Sequence, residues 1–297
     1  MRRWLRWTAY SAAAAAGLAV TAAGGIYAAS HVMLARTYPV QPEQLVRPSA
    51  AAVANAPRQA RLLGCLSCHG PGLRGNRMFD EAGLGTIHAP NLPRLARERT
   101  DQQLAAAIRQ GVGGDGRPLL IMPSGLFSRL TDGEVSALIA WIRSLPADAP
   151  QTPPIRLSLV GRITVLNGDM PLQPKLVPVY RSRMPVDLGP EHAPARHIAA
   201  TVCAECHGPD LAGGDRAHAD YNSTLADPTP PTPDLIVAGA YDLQDFTRLM
   251  RTGVATGGRK LGMMSAVSRS DLRHFTDAEI AALHRYLQAR ALYDPAQ

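Results

Sequence analysis

Cys65-Leu66-Ser67-Cys68-His69 and Cys203-Ala204-Glu205-Cys206-His207 decide how this chain is read. Each is a C-x-x-C-H run, in which one short turn offers two thiols to the vinyl groups of a haem and the adjoining imidazole to its iron. The chain has four cysteines, and all of them lie in these runs. A four-cysteine zinc site would space its pairs by roughly 15 to 20 residues. It would also leave no role for the two histidines or for Gly70 and Gly208 behind them. A thioredoxin-like redox pair needs one C-x-x-C, and a disulfide framework belongs to short secreted chains.

The runs Cys65 to Gly70 and Cys203 to Gly208 resemble the haem-attachment sites of c-type cytochromes. The resemblance implies two covalently attached haem c groups, held through Cys65 and Cys68 and through Cys203 and Cys206. His69 and His207 would then ligate iron from one side. Ala89-Pro90-Asn91-Leu92 resembles the Pro-x-Leu element that follows the motif in class I cytochromes. In that family the proline carbonyl accepts the proton on the far nitrogen of the proximal imidazole, which implies that Pro90 orients His69.

An internal repeat supports two copies of one module. Ile108-Arg109-Gln110-Gly111-Val112 aligns with Met250-Arg251-Thr252-Gly253-Val254, and without a gap Met122 then falls on Met264 rather than on Met263. Pro90-Asn91-Leu92 matches Pro233-Asp234-Leu235, and Thr131-Asp132-Gly133-Glu134 matches Thr276-Asp277-Ala278-Glu279, in the same order. Met122 and Met264 are the candidate sixth iron ligands, against core packing as the ordinary use of methionine. Arg109 and Arg251 are candidates to meet haem propionates, against a plain role as helix-end cations. His88, His192, His197, His218, His274 and His284 fall outside any paired pattern and read as surface or polar-contact residues.

Local signals fill each module with helices. Ala56 to Leu63 reads as a short helix with Pro57 in its first turn, and Thr100 and Thr131 open capped helices. The Gly-rich stretch from His69 to Gly85 shows no sustained period and reads as a loop against one haem face. Residues 36–50 read as a proline-bearing tether. Pro146 to Pro194 holds ten prolines and reads as a structured linker or strap, with one short apolar segment at Ile155 to Leu166.

No Lys, Arg, Asp or Glu occurs from Thr8 to Ala35, and three arginines precede that span. About 20 apolar residues cross a bilayer as a helix, and the flanking charge places the N-terminus inside and the rest outside. Trp4, Trp7 and Tyr27 stand at the expected interfaces. A cleaved signal with Ala28 and Ser30 near its processing site is the competing reading; the retained anchor is preferred. The formal charge is +7. Without a Lys/Arg stripe interleaved with stacking aromatics it does not indicate nucleic-acid binding, although a basic face can steer an acidic redox partner.

The expected fold is mainly α: two tandem cytochrome c-like helical domains after an N-terminal transmembrane helix. The divisions are 1–35 as anchor or signal, 36–50 as tether, 51–147 as domain 1, 148–192 as Pro-rich linker and 193–297 as domain 2. Iron held by His and Met has no open position, so the implied job is electron transfer rather than catalysis. The resemblance implies a single-pass protein of a bacterial inner membrane with its haem domains in the periplasm. Its redox partners would be a periplasmic dehydrogenase on one side and quinone or a terminal oxidase on the other. The alternative is a dihaem enzyme such as a cytochrome c peroxidase, in which one iron is open and Met122 is displaced by His88 or stays off the iron. A third reading is a relay subunit inside a larger dehydrogenase complex. No flavin, nicotinamide or quinoprotein signature occurs, so an oxidisable substrate falls to a partner.

Overall fold

The structure, a computed structural model, describes residues 2–81, 83–214 and 232–293. It is mainly helical, as the sequence predicts. Helix α1 (Arg2–Ala35) runs unbroken for 34 residues, about 50 Å at 1.5 Å per residue. It is the one helix among the described residues long and apolar enough to cross a membrane, and its apolar window is not buried by protein.

The segment that follows differs from the free tether expected over 36–50. Tyr38 N–H donates to Gly116 O at 2.9 Å, Gln41 N–H to Gln110 Oε1 at 2.9 Å, and Val46 N–H to Ser136 Oγ at 3.0 Å. Pro39, Pro42 and Pro48 keep this stretch extended and remove donors, while the remaining amides bond the first module. It is a strap lying on that module.

The first module opens with α2 (Ala50–Leu62), capped by Ser49, whose hydroxyl accepts from Ala52 N–H. The helix starts earlier than Ala56, so Pro57 lies inside it rather than in its first turn. The alanine-rich start and the cap favour helix. Ala56 and Ala60, both fully buried, pack the helix across α7 (Asp132–Ser144) and offset the cost of the proline. This crossing of first and last helices is the one the resemblance implies. Between them come α3 (Cys65–His69), α4 (Leu92–Glu98), α5 (Asp101–Gln110) and the short α6 (Ser124–Phe127). The expected loop up to Gly85 is instead partly an antiparallel hairpin, β1 (Asn76–Glu81) with β2 (Gly85–Ala89). A register shift between Arg77 and Phe79 breaks the two-residue alternation, which is why no strand period shows in the sequence.

The Pro-rich segment 148–192 is an ordered strap with more helix than its prolines suggest. Strand β3 (Arg156–Leu157) adds to β2, α8 (Leu159–Asn167) packs against α1, and α9 (Gln173–Ser182) packs against α6. Its prolines at positions 171, 174 and 190 stand in first turns or between elements, where the missing donor costs little. A second small core forms here from Ile87, Leu120, Val165, Met170 and Leu172, with Met33, Leu34 and Tyr38 against it.

The second module repeats the plan with α10 (Ala193–Ile198), α11 (Ala204–His207), α12 (Leu243–Thr252), a two-stranded ribbon β4 (Val254–Ala255) and β5 (Arg259–Lys260), α13 (Met263–Ser270) and α14 (Asp277–Leu292). Helices α10 and α12 pack on α14. Thr100, Thr131 and Thr276 each close a reciprocal capping box with Gln103, Glu134 and Glu279. Gly111 and Gly253 end α5 and α12 in the left-handed conformation that lets the chain turn back, as the aligned sequences predict.

Candidate haem sites

Each C-x-x-C-H run is a single helical turn, entered differently in the two modules. In the first, Gly64 at φ 70° breaks the chain between α2 and α3. In the second, the equivalent residue is Val202, which cannot take that conformation cheaply. The chain stays helical there through a π turn, Ala199–Cys203, directly into α11.

Behind the motifs lies a repeat that the sequence reading passed over. His69-Gly70-Pro71-Gly72-Leu73-Arg74-Gly75 matches His207-Gly208-Pro209-Asp210-Leu211-Ala212-Gly213 at five of seven places. Leu73 N–H donates to Gly70 O and Leu211 N–H to Gly208 O, each at 3.0 Å. Gly75 N–H closes on His69 O at 2.9 Å, and Gly213 N–H on His207 O at 2.8 Å. Leu73 and Leu211 adopt φ 56° and 67°, and both are fully buried. A branched side chain in the left-handed region costs about 1 kcal/mol or more; burial of the leucine holds it there. The signal was the repeated H-G-P-x-L-x-G string.

The imidazoles are fixed as predicted for the first module and alike in the second. His69 Nδ1 lies 2.8 Å from Pro90 O, and His207 Nδ1 lies 2.8 Å from Pro233 O. A carbonyl can only accept, so the proton sits on Nδ1 and Nε2 keeps its lone pair. Burial holds both rings below the ordinary histidine range, against the pull of those carbonyl bonds, and so favours the neutral, ligating form. Asn91 then caps α4, its side-chain oxygen accepting from Arg94 N–H while its amide donates to Ala149 O and Pro150 O of the strap.

The first motif opens on an apolar cleft of about 330 Å³ lined by Leu63, Cys65, Leu73, Ile108, Phe127 and Trp141 among others. Among the described residues, no charged side chain lines it. Met122, at the end of the loop after α5, packs on the same core. In the second module Met264 packs against the core beside Leu261 and Val267, whereas Met263 is 42% exposed, in line with the gapless register. Burial pushes the Cys65 and Cys203 thiols up to about 12 and the Cys68 thiol up to about 11. These thiols are protonated and lie in apolar surroundings. The apolar cleft, the fixed tautomers and the paired thiols fit haem c.

The arginines expected near propionates are used by protein. Arg109 binds Glu43, Asp132 at 2.7 Å and Leu130 O at 3.1 Å. Arg251 binds Asp277 at 2.6 Å and the carbonyls of Arg273 and Phe275. In both copies the arginine ties the end of one helix to the start of the last. Among the unpaired histidines, His197 Nε2 meets Glu134 at 3.0 Å and His284 Nε2 meets Tyr241 O at 2.8 Å, both polar contacts. His88 Nδ1 is buried without a partner, and His218 lies outside the described residues.

The third residue of each motif lies at the junction with the other module. Ser67 Oγ donates to the Asp271 carboxylate at 3.1 Å, five residues before Thr276. Glu205 lines a small pocket together with Ile121, Leu126 and Tyr180. Burial alone pushes the Glu205 carboxyl up to about 7. The attachment motifs of both modules therefore lie toward the junction.

A family model described as Cytochrome c matches residues 53–146 and 193–291. The chain is 26% identical over 248 residues to a protein named fructose dehydrogenase cytochrome subunit, from Gluconobacter japonicus. That alignment covers 76% of this chain and 50% of the relative, so the chain spans about half the length of the curated protein it matches.

Proposed function

The chain belongs to the cytochrome c family, and from that premise we propose that it is a membrane-anchored dihaem electron carrier. It would take electrons from a dehydrogenase outside the cytoplasmic membrane and deliver them to the respiratory chain, at quinone or a terminal oxidase. The observation that carries this reading is the duplicated imidazole–carbonyl pair, His69 with Pro90 and His207 with Pro233. Two such pairs, each behind its own C-x-x-C, support two sites rather than one.

Haem c, when bound, supplies reversible one-electron exchange at its iron. Cys65 and Cys68, and Cys203 and Cys206, would hold the two groups by thioether bonds. His69 and His207 would present Nε2 from one side, and Met122 and Met264 their thioethers from the other. With His69 and Met122, and His207 and Met264, all engaged in holding the groups, neither site would leave a position for a small substrate, which supports a carrier over an enzyme. The cleft walls at the first site are apolar, which would lower the polarity around the group.

The relative's name links it to a dehydrogenase, and a dehydrogenase partner for this chain follows by analogy. The outward location follows from the N-terminal helix and from three arginines ahead of it. Retention of that helix is supported by its fit to the folded part: Arg162 donates to Ser30 Oγ at 2.9 Å and sits 4.2 Å from the Tyr27 ring centroid. Cleavage after Ala28 would remove Tyr27, and cleavage after Ser30 would remove both partners of Arg162. The test is potentiometric titration of the detergent-extracted protein with and without candidate dehydrogenases, beside intact mass. Two attached haems, both six-coordinate and reduced by the partner, are expected; one haem, or an iron that binds peroxide in the resting protein, overturns the reading.

A further inference from the structure

The geometry points to a second membrane contact: α8, with Ile155 just before it, lies in the outer headgroup layer beside the emerging end of α1, and seats the first module on the bilayer. This rests on the reading of α1 as a retained, membrane-spanning anchor.

The first argument is position. The fit of Arg162 to Tyr27 and Ser30 fixes α8 alongside the last two turns of α1, and Ser30 is fully buried by that contact. Met33 and Leu34 continue the joint into the second core, where α8 contributes Val165. Tyr27 is the aromatic at the outer end of the uncharged span. From Tyr27 to Ser30 the helix rises only about 4.5 Å, within the roughly 5 to 8 Å of one headgroup layer. An element bound at Tyr27 and Ser30 is therefore at the level of lipid, not held above it.

The second argument is composition. Helix α8 reads Leu159-Val160-Gly161-Arg162-Ile163-Thr164-Val165-Leu166-Asn167, apolar on nearly every side. Such a helix is ordinarily buried all round. Here the protein covers the side of Gly161 and Val165, while Leu159 and Val160 remain 36% and 41% exposed and Ile155 37%. Arg156, exposed between Ile155 and the helix, is a cation suited to lipid phosphate. The occupant of the uncovered side is the bilayer itself, because α8 packs directly against α1, which already enters it.

Spin labelling of the full-length holoprotein in lipid nanodiscs tests this, since its native cysteines are consumed by haem and one introduced thiol takes the label. Leu159→Cys and Val160→Cys are compared with Val20→Cys in α1 and with Leu243→Cys, an equally exposed apolar position of the second module. Haem absorbance verifies that each variant is folded. The expected result is relaxation of labels at 159 and 160 by dissolved oxygen more than by an aqueous nickel chelate, with the reverse at 243. Chelate dominance at 159 and 160 with oxygen dominance at 20 overturns the α8 contact and leaves the anchor standing. A chelate-accessible label at 20, or a purified chain lacking α1, overturns the anchor and this contact together.

Discussion

Arg58, on the helix that leads into the first cysteine pair, forks onto the Glu279 carboxylate of the second module with contacts of 2.8 and 3.0 Å. The reverse contact is made by His197, on the helix that leads into the second pair, which meets Glu134 of the first module at 3.0 Å. Both glutamates close the capping box of a last helix. Two copies of one module have thus docked by the same surface, each lending a basic residue to the other's helix cap.

Arg58→Ala and Glu279→Ala are each expected to loosen the junction, and the double variant to be no worse than the sum less a coupling of roughly 1 kcal/mol, as suits a half-exposed bidentate pair. Denaturant titration of the four proteins reads the coupling. A value near zero would show that the pair does not hold the modules together.

The junction is expected to weaken in acid. Burial would raise Glu134, but the His197 contact and the Thr131 N–H outweigh it; at Glu279 the Arg58 fork and the Thr276 N–H do the same. Both carboxyls therefore lie below their ordinary value of 4.5. A depressed carboxyl contributes its full stability above that ordinary value and loses it as pH falls through the lower folded value. Stability measured against pH is expected to drop below about pH 4.5, and Glu134→Gln with Glu279→Gln to flatten that limb. An unchanged limb in the double variant would assign the acid sensitivity elsewhere.

Arg109→Ala is expected to cost about 3 kcal/mol, because it leaves the Glu43 carboxylate, only 5% exposed, without its partner. The same change frees the strap before α2, so limited proteolysis between residues 36 and 49 is expected to speed up. Glu43→Gln, which keeps a hydrogen-bond acceptor without the charge, is expected to cost less; equal costs would argue that the charge is immaterial.

Met264→Ala is expected to leave two haems on the chain by mass while lowering the potential of one and opening it to carbon monoxide. Met263→Ala, on the exposed neighbour, is expected to change neither. Sulfur-ligated spectra at both sites in the Met264 variant would reject the ligand assignment.

Gly253→Ala is expected to act on the same site from a distance. Gly253 holds φ 74°, and a β-carbon there would run into the Ser265 backbone, one residue past Met264. Strain and displacement together are expected to cost more than about 1 kcal/mol and to shift the potential of the second haem toward that of Met264→Ala. Loss of stability with both potentials intact would show that α13 moves without carrying Met264.

Much of the candidate site was readable because its signals are short in range. The C-x-x-C-H turn, the capping boxes at Thr131 and Thr276 and the left-handed glycines at Gly111 and Gly253 each depend on residues within a few positions of one another. The carbonyl of Pro90 came through likeness to a family, and the structure repeats it at Pro233. The hairpin at Asn76 to Ala89 escaped because its bulge breaks the alternation that marks a strand.

By itself the sequence determined the two attachment turns, the duplicated module, the helix ends and the long uncharged N-terminal span, since backbone sterics and local hydrogen bonding act on near neighbours. Only the tertiary structure decided that Arg109 closes on Glu43, that Arg162 fits Tyr27 and Ser30, and that each module's basic helix caps the other. Those partners lie between 63 and 221 residues apart for the pairs bound through hydrogen bonds at the junction and on the straps. Which distant side chains meet is set by the loops that must close and the apolar surface that must be buried, and no short stretch of chain carries that information.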